Sequence, residues 1–378
     1  MKIASFNVEN MFRRAVVLNQ QNWDAGKAIL EAYSTLTELL QKPTYGEDDK
    51  KLILDLLVKL ELLDMKDEKP KYAEENRWVV LRRSRGPLVS VHKDGRVEVV
   101  ASGRGDWVGW LELKREAVDE QATRNTAAVI ANMDPDILAV VEAEDRPALV
   151  RFNENVLALS QGDAASFQHV MLIDGNDERG IDVGLFTKAN SPIMAMHSHV
   201  DDPGSDHTPI FSRDCAEYEV DADGQKLLLM VNHFKSKGYG SPAVSNARRQ
   251  AQAERVAAIY EQRQEAGWEN IVVLGDLNDT PDSQPLASLV KETTLKDASD
   301  HPSWLWGERE GTFGSTNEKI DYLLLSPALF GKVKAGGVDR KGVWHGPGTH
   351  NPWEMLPTLT DEIQAASDHA AVWVDLEL

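Results

Sequence analysis

Among its 378 residues the chain has one cysteine, Cys215, so it can close no internal disulfide and build no Cys-rich zinc module. A reducing compartment is the expectation that follows. No apolar run approaches the ~18 residues of a spanning helix, and the opening MKIASFNVEN has too few apolar residues before Asn7 for a secretory leader. These absences lead to the expectation of a cytoplasmic protein with no membrane association and no stable protein partner. Basic residues are outnumbered, 41 against 61 acidic, and the net charge of −20 argues against broad adhesion to polyphosphates. An enzyme acting on nucleic acid is still allowed, because cations held by acidic side chains invert the local field. The basic residues cluster in RWVVLRRSRG (77–86) and HFKSKGYGSPAVSNARR (233–249). A charge cluster is more often a solvated face than a binding site.

What is present is a series of short apolar runs that end in polar residues. KIASFNV (2–8), DPDILAVVEAED (134–145), HVMLID (169–174), IDVGLFT (181–187), KLLLMVNHF (226–234), NIVVLGDLN (270–278), KIDYLLLS (319–326) and AAVWVDLEL (370–378) read as strands. EQATRNTAAVIANM (120–133) reads as an amphipathic helix broken at Asp134-Pro135, and 245–267 as a second with a stripe of Ala251, Val256, Ile259 and Tyr260. Residues 15–115 have a different texture, with two helices at 23–42 and 47–64 and then a small strand group. They read as an insertion of about 100 residues within a single domain spanning 1–378.

The polar strand ends carry the chemistry. Asp276 and Asn278 stand at i and i+2 of an extended segment, so a carboxylate and an amide address one small volume. That suits a hard cation, a phosphate oxygen or a water, although GDLND is also good turn chemistry. Asp368-His369 sets a carboxylate beside an imidazole that could serve acid–base work near neutral pH. Asp321 could orient that imidazole; alternatively, it closes a turn with Lys319. Glu142 ends its strand with no partner at helical spacing, and Glu144 and Asp145 read as solvated neighbours. Asn7, Glu142 and Asp368 together offer a neutral and two anionic oxygens, a set that prefers magnesium or manganese to zinc. Asn232-His233 followed by Lys235-Ser236-Lys237 supplies donors for a phosphate.

In order, SFNVEN, AVVEAED, NHFKSKG, GDLND, KIDYLLLS and SDHAAV resemble the endonuclease/exonuclease/phosphatase superfamily of metal-dependent phosphoesterases, which includes pancreatic-type deoxyribonucleases, apurinic-site endonucleases, sphingomyelinases and inositol-polyphosphate phosphatases. The resemblance covers 2–12 and 120–378, and it implies an α/β fold: a four-layered sandwich of two mainly antiparallel sheets flanked by helices. It implies Mg2+ or Mn2+ as cofactor, held by Glu142 with Asn7 and Asp368 nearby and Glu9 at a further acidic position. It implies that Asp276 and Asn278 position the attacking water and the phosphate, that His233 contacts phosphate or leaving group, and that His369 is supported by Asp321. Proline commonly stands in the family where this chain has Ala371, a position without a polar role. Asp279 and Asp282 then fall to turn chemistry around Pro281.

Two functions follow from the resemblance. A divalent-metal phosphodiesterase acting on nucleic acid, most readily a DNA endonuclease, fits NHFKSKGYGS followed by SNARRQAQA, which looks like bacterial nuclease members. A small-molecule phosphoesterase acting on a lipid headgroup, sugar phosphate or nucleotide fits the acidic charge. A catalytically inactive binding module is disfavoured because every site position is filled, and a carbohydrate enzyme because the acids arrive with amide and histidine partners. The insertion leaves the chain just after Asn7, so it could form a wall or lid, with Lys235, Lys237, Arg82, Arg83 and Arg85 as tentative substrate contacts.

Overall fold

The computed structural model describes residues 1–378 apart from 19, 21–22, 178, 206, 238–240, 315 and 347–352 and the side chains of 23–25. Residues 238–240 of the second basic cluster therefore lie outside the described residues. The chain divides into two compact units, one comprising Met1–Arg13, Val118–Lys237 and Ala243–Leu378, the other Arg14–Ala117.

In the first unit the apolar runs form central strands, buried on both faces, and successive residues go to opposite cores. Ile137, Ala139 and Val141 point into the core between two sheets, whereas Leu138 and Val140 point outward under the helix Glu120–Met133. The same split occurs at Leu227, Leu229 and Val231 against Leu228 and Met230, whose outward side is covered by Val256 and Tyr260 of the helix Pro242–Glu265. The result is four layers, helix, seven-stranded sheet, six-stranded sheet, helix, with most strand pairs antiparallel. Asp119 caps the first of these helices by accepting from the amides of Gln121 and Ala122, and Asp134 ends it in the left-handed conformation at φ 46°.

Register brings the strand ends together. Lys2–Asn7 runs parallel to Ile137–Ala143 with Asn7 opposite Val141, and Gln225–His233 runs parallel to Ile271–Asp276 with His233 opposite Asp276. Asp321 opens the antiparallel strand Asp321–Leu325 directly opposite Asp276. Ala371–Leu376 runs antiparallel to the first strand, so Asp368 and His369 precede it at the end where Asn7 lies. Parallel pairs have their C-terminal ends on one edge, and an antiparallel neighbour must begin there.

Among the described residues the second unit has helices Trp23–Leu40 and Glu47–Lys59 and four two-stranded sheets, pairing Arg13–Ala15 with Arg115–Ala117, Leu63–Lys66 with Lys69–Tyr72, Val79–Arg85 with Val108–Leu113, and Val89–Val91 with Val97–Val99. Its own core gathers Leu30, Leu36, Ile53, Leu57, Trp78 and Trp107. No helix among the described residues is long and apolar enough to cross a membrane.

Candidate active site

Asp276 Oδ2 is the focus of the site. It accepts from Asn278 Nδ2 at 2.9 Å and Asn7 Nδ2 at 3.2 Å, and the Nε2 atoms of His233 and His369 lie 3.6 and 3.8 Å away. The other oxygen accepts from the Asn278 amide at 2.8 Å. The bends that aim these groups are written in the backbone. Asn278 and Glu142 adopt φ of 54° and 66°, and Glu142 lies at a bulge between Val141 and Ala143. Gly275 stands at φ +126°, where a Cβ would lie 2.0 Å from the Asn232 carbonyl oxygen. Only glycine allows that approach.

His369 Nδ1 donates to Asp321 Oδ2 at 2.9 Å, with Oδ1 at 3.2 Å, and its ring meets Phe313 edge-on. Burial alone pulls this imidazole toward neutrality, but the carboxylates of Asp321 and Asp276 outweigh it and hold the ring well above its usual range. That direction favours the protonated ring. Lys319 is paired with Asp297, so Asp321 orients the histidine and does not close a turn with Lys319. Burial, then the charge of Asp321, pushes Asp276 up to about 7, against the pull of His369. His233 goes the other way: burial, then Arg213 and Arg179, hold it well below the usual range and so neutral.

Glu142 Oε1 lies 3.6 Å from His233 Nε2, and Asp368 Oδ1 lies 3.9 Å from His369 Nε2. Glu9 Oε2 accepts from the Asp368 amide at 3.2 Å, and its own amide donates to Asn7 Oδ1 at 3.0 Å. Asn7, Glu9, Glu142, Asp368, His233, Asp276, Asn278, Asp321 and His369 are therefore gathered at one strand edge. The partly exposed carboxylates of Glu142 and Asp368 are hard oxygen donors of the type that fits a divalent cation. Asp276, Asp321 and His369 also lie close enough together to hold an ion. That cluster is buried and already joined by the His369–Asp321 hydrogen bonds, whereas Glu142 and Asp368 are the more exposed carboxylates of the site.

The remaining groups singled out in the sequence have the following surroundings. Lys235 is half-buried and pushed down to about 7 by burial and by Arg179 and Arg213. Lys237 is paired with Asp279 at 2.8 Å, and Asp279 also takes Arg249 Nε at 3.0 Å. Asp279 is thus a buried ion-pair hub and not turn chemistry, whereas Asp282 is exposed. Glu144, read as solvated, accepts from the amides of Met11, Phe12 and Arg13, and Asp145 caps the helix Arg146–Phe152. Arg82, Arg83 and Arg85 lie on an exposed strand of the second unit, where Arg82 pairs with Glu112 at 2.9 Å and Arg85 donates to the carbonyls of Arg104 and Gly105. Sequence reasoning missed Arg213, which is buried beside Asp177. FSRDC carries no periodic or motif signal, and only the unusual presence of an arginine between apolar segments could have flagged it.

His197, His199 and Glu217 form another group of metal-ligating type. His199 donates from Nδ1 to Asp202 and from Nε2 to Glu217, both at 2.8 Å, while Arg255 and Arg263 complete the two carboxylates. Both ring nitrogens of His199 and the carboxylates of Asp202 and Glu217 already have partners, so these groups act as a clamp between the helix Pro242–Glu265 and the strand Cys215–Ala222.

A buried carboxylate ringed by amides and imidazoles, with the carboxylates of Glu142 and Asp368 on the same strand edge of a four-layered α/β sandwich, is suited to phosphoester hydrolysis. Residues 111–333 match the model of the Endonuclease/Exonuclease/phosphatase family. The chain belongs to that family, and it is a metal-dependent phosphoesterase. No curated protein matches the chain. Among solved structures it is similar to a mannosyl-6-phosphatase of Bacteroides thetaiotaomicron, at 18% identity and TM-score 0.48 over 68% of this chain and 92% of that one. It is similar also to truncated TDP2 of Caenorhabditis elegans, at 17% and 0.46 over 67% and 90%, and to beta toxin of Staphylococcus aureus, at 14% and 0.45 over 69% and 94%.

Proposed function

We propose that the protein is a Mg2+- or Mn2+-dependent phosphodiesterase that cleaves nucleic acid, DNA first, as an endonuclease. The observation that carries the hydrolytic part is the convergence of four nitrogen groups on Asp276 Oδ2 beside the Glu142 carboxylate. The nucleic-acid part rests on NHFKSKGYGS and SNARRQAQA and on their likeness to bacterial nuclease members. The lone buried thiol of Cys215 favours a reducing, cytoplasmic setting.

A phosphodiester is anionic and repels nucleophiles, so its hydrolysis needs charge neutralisation, an aligned water and a stabilised leaving oxygen. Glu142, with Asn7 and Asp368, would hold the divalent cation, which when bound would supply the neutralising charge. Asp276 accepts the proton of the attacking water and aligns it for in-line attack. Neutral His233 hydrogen-bonds a phosphate oxygen, and Asn278 holds Asp276 in place for the attack. The His369 imidazolium, fixed by Asp321, offers its Nε2 proton to the negative charge that grows on the phosphorus oxygens.

A small-molecule phosphoesterase is the second reading, favoured by the net charge of −20. A substrate panel separates the two. Plasmid, single-stranded DNA, RNA, phosphodiester headgroups and phosphomonoesters are each incubated with enzyme and Mg2+ or Mn2+. Cleavage of the nucleic acids ahead of the small esters supports the proposal. Turnover confined to monoesters or headgroups would transfer the assignment to the second reading.

A further inference from the structure

Arg213 belongs to none of the six motifs, yet its side chain is 2% exposed and sits directly behind the site. Its Nε lies 2.9 Å from Asp177 Oδ2 as an ion pair, and Asp177 is fixed in turn by Arg179, Nε to Oδ1 at 3.0 Å and Nη2 to Oδ2 at 2.8 Å. On its other side Arg213 Nη1 donates to the Phe234 carbonyl at 3.3 Å. That same oxygen accepts from Asn278 Nδ2 at 3.1 Å, and Asn278 Nδ2 also reaches Asp276 Oδ2. A guanidinium this deep has no water to fall back on, so Asp177 and the Phe234 carbonyl define its place.

The Asn278 amide must point its nitrogen at two oxygens at once. One of them is a carbonyl at the end of the strand Gln225–His233, where the chain turns away and no ladder bond holds it. Arg213 is the group that fixes this oxygen. We infer that Arg213 is a positioning residue for phosphoester hydrolysis, holding the Phe234 carbonyl where it orients Asn278 and, through Asn278, Asp276. The inference rests on the hydrolytic reading of the site and deepens it. Lysine keeps the charge at 213 but has one compact ammonium in place of a planar fork, so it cannot hold Asp177 and the carbonyl together.

The test is a double-mutant cycle between Arg213→Lys and Asn278→Gly, read on hydrolysis of a bis-aryl phosphate diester with Mg2+ or Mn2+. Asn278→Gly is expected to lower kcat by about 10²-fold, on the scale of losing one oriented donor in a hydrolytic site. Arg213→Lys should lower kcat roughly tenfold or more with KM within about twofold, because only the oriented state is lost. In the double variant the Lys substitution should cost less than about twofold beyond Asn278→Gly, since its effect passes through that side chain. Losses that multiply would overturn the inference, as would wild-type kcat in Arg213→Lys. So would a Lys variant that fails to fold by circular dichroism, which assigns Arg213 to stability alone. Absence of diester hydrolysis in the wild type contradicts the function itself, a separate outcome.

Discussion

Asp276 and Asn278 show what a single residue contributes once backbone and side chain are separated. Asn278 stands at φ 54°, where glycine is at ease and alanine is strained. Asn278→Gly therefore removes the amide without straining the turn, and its melting temperature should stay near the wild-type value while kcat falls by about 10²-fold. Unchanged turnover would remove Asn278 from the chemistry. At Asp321, replacement by asparagine leaves a hydrogen bond to His369 but takes away the charge that favours its protonated form. The expected result is a kcat lowered by about 10²-fold with KM little changed, measured on the same diester. The spacing of Asp276, Asn278 and Asp368-His369 was legible in sequence because each lies at the end of an apolar run. Asp279 and Glu144 were not, because a carboxylate that binds a distant arginine or a distant run of amides looks like any turn acid until the chain is folded.

Between elements, the clamp at His199 joins the helix Pro242–Glu265 to the six-stranded sheet. Burial raises the Glu217 carboxyl, but hydrogen bonds from His199 and Arg263 outweigh it and hold the group at about 2, below its ordinary 4.5. A depressed acid stabilises the fold fully above pH 4.5, and that contribution is lost as pH falls from there toward 2. His199 is raised: burial lowers it, and the Glu217 and Asp202 bonds prevail. Its contribution is complete below pH 6.5 and is lost as pH rises through the folded value. Glu217→Gln should cost about 3 kcal/mol in denaturant unfolding at pH 7 and much less at pH 2. A loss of equal size at both pH values contradicts the clamp. The strand Cys215–Ala222 that carries Glu217 was invisible to the sequence reading, since its alternation sets acidic Glu217 and Glu219 among apolar residues and Glu217 is buried only by virtue of its partners. Val333–Asp339 was missed for its Gly336-Gly337 pair, which packs against Trp304 and Trp373. Central strands such as Ile137–Ala143 and Ile271–Asp276 were plain, because burial on both faces demands an unbroken apolar run.

At the scale of the whole molecule, 14–117 form a unit with its own core, and the order of motifs across it survives the interruption. The chain enters that unit directly after Asn7 and the loop held by Glu144. Replacing 15–115 by a short linker is expected to change the substrate range while leaving metal-dependent hydrolysis of a small diester within about tenfold. An unaltered range across the substrate panel contradicts a role for the insertion in selection. The central claim is tested most directly on closed circular plasmid. With Mg2+ or Mn2+ the wild-type protein should convert it to nicked circles, chelator should abolish the conversion, and Asp276→Ala should leave it at least about 10³-fold slower in a protein that still folds. Plasmid that stays closed with the wild-type enzyme, or nicking at full rate by Asp276→Ala, contradicts the account.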